Sequence, residues 1–111
     1  MNTVIANTKV LVTPKGQATF DVTLEIGTPY QKPDDPEIWA CPVSLKPLYN
    51  NLREARTDTA FQSLCLAISL ALDLLHGVKE KGGTVELEPG QDFPFEAYAF
   101  GRAMRKEKPG A

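Results

Sequence analysis

Between residues 18 and 26 the chain alternates with a period of two. Ala18, Phe20, Val22, Leu24 and Ile26 are apolar, while Thr19, Asp21, Thr23 and Glu25 are polar. That is the pattern of a strand with one buried and one wet face, as in an antiparallel sheet. The preceding "VIANTKVLVT" is rich in β-branched residues, and Pro14-Lys15-Gly16 between the two runs is a hairpin signal. The pattern predicts strands near residues 4–13 and 17–27. "GTPYQKPDDPE" then brings three prolines and three acids and reads as a loop. In "IWACPVSL", Trp39, Cys41, Val43 and Leu45 fall on one face, which predicts a third strand and places Trp39 in the core. Pro42 has no amide proton for a ladder, so this strand belongs at an edge or a bulge. "KPLYNNLREART" carries the chain onward, with a short helical turn expected around residues 48–52.

The longest pattern is helical. Thr59 and Gln62 have the capping-box spacing, Asp58 suits a helix N-terminus, and Gly82-Gly83 supply a stop after Lys79 and Lys81. At 100° per residue, Gln62, Ser69, Asp73, His76 and Glu80 gather within roughly 40° of one line. The rest of the circumference is apolar, with Leu66, Leu70 and Leu74 on its flanks. One sheet covers only one face of a helix. Three covers for the flanks are open: the proline-rich loop, the aromatic segment "DFPFEAYAF", or a second copy of the chain. Fully burying a leucine contributes about 2 kcal/mol, so flanks left in water would be a large loss for a small domain. After the helix, "TVELE" predicts a short strand with Val85 and Leu87 inward. The expected fold is α+β, an antiparallel sheet of about four strands in the order β-β-β-α-β with one long helix packed on one face.

Length and charge refine this picture. The 111 residues suit a single domain, taken as residues 1–100, followed by a basic tail over 101–111. Residues 1–100 carry 13 acidic and 8 basic side chains, whereas the tail sets Arg102, Arg105, Lys106 and Lys108 against Glu107. An acidic body without a basic stripe argues against nucleic acid as a partner. The start "MNTVIANTKVLVTPKG" lacks the basic, then apolar, layout of an export signal, and Ser69 and Asp73 interrupt the apolar helix. No membrane partner is expected, and a cytoplasmic location with two reduced thiols is.

Candidate chemistry is sparse. His76 is the one histidine, with Asp73 three residues before it and Ser69 a turn further back. A carboxylate can orient an imidazole as a general base, but three groups in a row along one helix do not converge on a substrate atom. They are weak catalytic candidates, and a solvated polar stripe explains them. Cys41 and Cys65 lack a Cys-x-x-Cys arrangement or an evident neighbouring cation, and small buried thiols are the expected outcome. One histidine and two separated cysteines give no metal site, and "PDDPE" lacks the spacing of a calcium loop. No phosphate-binding or dinucleotide motif is present, so no cofactor is expected.

"IWACP" followed by "TAFQSLCLAISLAL", a short strand and Phe93-Pro94 resembles a group of small bacterial proteins of unknown function. In that group a Trp-x-Cys-Pro strand precedes a helix with a Gln-x-Leu-x-Leu-Ala pattern. Trp39, Cys41 and Pro42 carry the first motif here, and Gln62, Leu64, Leu66 and Ala67 the second. The resemblance spans about residues 36–95. It implies a bacterial source and a compact domain, with no activity or cofactor attached. The functional expectation is a non-enzymatic protein-binding or accessory domain, with a protein partner or a homodimer. Its binding residues are Leu66, Leu70, Leu74, Phe95, Tyr98 and Phe100. The alternative is a small enzyme using His76 with Asp73, or a cysteine thiol.

Overall fold

A computed structural model describes residues 3–98. Strands β1 (Val4–Thr13) and β2 (Phe20–Gly27) form the expected hairpin, in a register that places Val10 opposite Val22 and Val12 opposite Phe20. Val10, Val12, Val22 and Ile26 are buried, so the alternation in the sequence is the alternation of the sheet. The second strand starts at Phe20 and not at residue 17. The Gln17 amide first closes a turn on the Pro14 carbonyl at 3.0 Å, and the chain enters the ladder only after Thr19.

The proline-rich segment is not a plain loop. It contains β3 (Tyr30–Lys32) and the start of β4 (Asp35–Cys41), joined by a tight turn at Pro33-Asp34. Pro33 presets the turn, and a register irregularity after Gln31 lets Pro36 sit in the strand without breaking the pairing of Gln31 with Trp39. The stretch expected to be one strand is two. β4 ends at Cys41 and β5 (Val43–Lys46) begins after Pro42. Cys41 pairs with Ala55 of β6 (Ala55–Thr57), whereas Val43 pairs with Ile26 of β2. Pro42 is the corner between them. It has no amide to leave unpaired, and its carbonyl accepts from the Gly27 amide at 2.9 Å. At the corner Ala40 and Cys41 are both buried while Trp39 is half-buried, so the single alternating face predicted for Trp39 to Leu45 does not form. After β5 the chain makes one turn, with the Tyr49 amide on the Leu45 carbonyl at 2.8 Å, and no helix.

The fold is α+β, as expected, with more strands than the sequence suggested. After β6 come α1 (Ala60–Glu80), β7 (Thr84–Glu88), β8 (Gln91–Asp92) and the short α2 (Phe95–Tyr98). One antiparallel sheet has the order β5-β2-β1-β7-β8 and a second the order β3-β4-β6. α1 touches both, lying against β2, β5 and β7 of the first and β4 and β6 of the second.

The helix begins with the Thr59 half of the expected capping box and ends at the expected glycines. Thr59 Oγ1 accepts the Gln62 amide at 3.1 Å. At the far end the Gly83 amide reaches the Val78 carbonyl (2.9 Å) and the Gly82 amide the Lys79 carbonyl (3.1 Å), with Gly82 at φ +97°. This pair of bonds is a Schellman cap, which needs the left-handed residue that glycine supplies. Ser63, Ala67, Ala71 and Leu75, spaced four apart, form a buried line along α1, and Leu72 is buried beside it. Small side chains at three of these positions let the helix axis approach the sheets closely. Ser63 stays satisfied in the core by donating to the Ala60 carbonyl at 2.9 Å.

Two glycine substitutions should move stability in opposite directions. A Cβ on Gly83 would lie 2.5 Å from the Thr13 carbonyl oxygen and 2.8 Å from Val78 Cγ1, whereas one on Gly77 meets nothing within 4 Å. Urea denaturation should find Gly83→Ala destabilised by about 1–3 kcal/mol. Gly77→Ala should be stabilised by about 0.5–1 kcal/mol, as helix propensity dictates.

Candidate functional site

Two regions of the surface are unusual, the outer side of α1 and an open cleft beside β6. α1 has the length and apolar composition of a membrane span, yet only 28% of its most apolar 18 residues are buried. Here its inner line is taken up by the two sheets. The C-terminal segment covers part of what remains. Phe95 is only 5% exposed, packs edge-on to His76 (ring centroids 5.1 Å) and to Phe93 (4.8 Å), and belongs to the core. Phe95 is therefore a cover for the helix, one of the alternatives that the sequence left open, and not an exposed binding residue. Tyr98, stacked on Phe93, is exposed, and Phe100 lies outside the described residues.

This cover reaches the second half of the helix only. Of the three expected flank leucines, Leu66 is exposed, while Leu70 and Leu74 are half-buried against the core. The larger uncovered surface is on the other flank. Phe61 is 76% exposed and Ile68 40%, with the exposed Cys65 between them.

The polar stripe does not assemble as a catalytic group. Ser69 and Asp73 are exposed and share no hydrogen bond with His76. His76 turns instead to Glu80, one turn on, with Nδ1 3.7 Å from Oε2. The cysteines also part company: Cys65 is exposed, and Cys41 is fully buried with its thiol directed at the Gly27 carbonyl at 3.3 Å. Burial, with a smaller push from the charge on Glu54, raises the Cys41 pKa above the usual thiol value. That direction disfavours a nucleophilic thiolate.

The cleft, ≈ 810 Å³ and open to solvent, is lined by Tyr30, Pro42, Val43, Leu52, Arg53, Glu54 and Arg56. Its position follows from the corner at Pro42, which sets the start of β5 beside the segment leading into β6. Glu54 is anchored within it. Tyr30 Oη donates to Oε2 at 2.6 Å and lies 2.9 Å from Oε1, and Lys32 Nζ donates to Oε1 at 3.0 Å. Arg56 stands further off, 3.8 Å from Oε1, with its side chain 62% exposed. Arg53 is exposed and forms no ion pair among the described residues. Burial pushes the Glu54 carboxyl up, but hydrogen bonds from Tyr30 and Lys32 and the charges of Lys32 and Arg56 together hold it below the ordinary glutamate value. Tyr30 is raised, first by its bond to Glu54 and then by burial, and Lys32 is raised by its bonds to Glu54 and Tyr30. Sequence reasoning missed this cluster because Tyr30 and Lys32 share a face only once residues 30–32 are a strand.

Among the described residues no group of three or more His, Cys, Asp or Glu side chains is placed to hold a metal ion. No family model, curated protein or solved structure matches this chain.

Two measurements check this geometry. Thiol titration of the native protein should find Cys41 reacting only on unfolding. Glu54, with its pKa lowered in the fold, contributes stability that is present above the ordinary glutamate range and lost as pH falls through its folded value. Replacing Glu54 with Gln should remove part of the acid-side loss of stability between pH 5 and the folded pKa, read as a flatter dependence of the urea midpoint on pH.

Proposed function

We propose that this chain is a non-enzymatic protein-binding domain that acts as a two-fold homodimer, with the uncovered flank of α1 as its interface. One observation carries the reading: Phe61 and Ile68 stand in water on one flank of a helix that has no charged residue from 59 to 72. A surface of that kind is costly to leave wet and is typical of an interaction site.

The spacing favours a second copy as the occupant. Phe61, Cys65 and Ile68, all exposed, follow one another at intervals of four and three residues, the seam spacing of paired helices. An uncharged apolar strip is complementary to itself across a two-fold axis, and it carries no charge to repel its own copy. The competing enzymatic reading has less behind it. His76 is occupied by Glu80 and Phe95, Asp73 and Ser69 stand apart from it, and the buried thiol is shifted away from reactivity.

Light scattering on the purified chain tests the proposal. The expected result is a mass of two chains that falls to one in Ile68→Asp and in Phe61→Ser. Both positions are exposed, so the fold itself should change by less than about 0.5 kcal/mol. A wild-type chain that stays monomeric at every attainable concentration would overturn the homodimer.

A further inference from the structure

The cleft beside β6 has a charge balance opposite to that of the molecule. The whole chain carries a formal −2. Lys32 and Arg56 stand against the single carboxylate of Glu54, and Arg53 also lines the cleft. Both oxygens of that carboxylate already accept hydrogen bonds: Oε1 from Lys32 and Oε2 from the Tyr30 hydroxyl. Glu54 is therefore matched by Lys32, and the two guanidinium groups are left over. Arg53 has no ion-pair partner among the described residues, and Arg56 holds Glu54 only at 3.8 Å with most of its side chain in solvent. Exposed pairs of that length contribute little, so Arg56 is readily recruited elsewhere.

We infer that this cleft binds a small organic anion, a carboxylate or phosphate attached to an apolar body. The two arginines supply the forked donors that suit a planar carboxylate or a phosphate. Pro42, Val43 and Leu52 supply an apolar wall for the rest of the ligand, as small-molecule sites generally require. Glu54 acts as a positioning residue. It holds the Tyr30 hydroxyl and the Lys32 ammonium by direct hydrogen bonds. The site is independent of the α1 flank, since none of its lining residues lies on that helix.

The test is a titration of the ¹⁵N-labelled full chain, followed by amide shifts, with benzoate, phenyl phosphate, inorganic phosphate and benzyl alcohol. Saturable shifts at Val43 and at residues 52–56 are expected with benzoate or phenyl phosphate, and the stronger of the two identifies the preferred head group. Inorganic phosphate should bind more weakly than phenyl phosphate, and benzyl alcohol should not saturate. The double variant Arg53→Gln/Arg56→Gln, with circular dichroism confirming its fold, should weaken the binding by about tenfold or more, the scale expected for lost charged hydrogen bonds. Absence of saturable shifts with both aromatic anions would overturn the inference. So would an unchanged affinity in the double variant, or an equal response to benzyl alcohol.

Discussion

A strand can satisfy two ladders only if the residue between them asks nothing of either, and the Trp39–Lys46 segment meets that condition at Pro42. On one side Cys41 is held by β6, and on the other Val43 is held by β2. An ordinary residue at the corner would add a backbone amide donor that must find an acceptor of its own. Proline removes that donor, and its carbonyl still finds the Gly27 amide. The arrangement of two sheets rather than one, the seat for α1 and the cleft beside β6 all follow from this change of direction.

The helix then answers two different demands along its length. Its inner line is made of small residues and Leu75, which brings it close to β4 and β6 while still reaching the larger sheet. The chain after β8 returns to close the second half, where Phe95 seals against His76 and Phe93. Nothing among the described residues does the same for the first half. The uneven exposure of an evenly apolar helix is thus set by where the chain's own aromatic segment ends its reach.

Local patterns proved readable where one rule acts alone. The β1–β2 hairpin, the Thr59 cap and the glycine stop are each specified by neighbours in sequence, and each is present. Legibility failed where two rules competed. Three prolines near residues 29–36 obscured a hairpin that uses one of them as its turn, and Pro42, rightly marked as incompatible with a continuous ladder, proved to be a corner between sheets. Of the site, the excess of apolar surface on α1 was evident, but which flank would stay open depended on the path of distant segments. The pairing of Tyr30 and Lys32 with Glu54, more than twenty residues away, had no local trace at all.

The smaller sheet has outer strands of three residues each around one of seven. Such a sheet is too slight to persist by itself. It stands because α1 braces it and because β4 runs on through the corner into β5. Displacing α1 therefore takes away the support of β4 and β6 as well. The arginine-lined recess inherits its shape from the stability of the main core, and loosening that core anywhere along α1 loosens the recess as well.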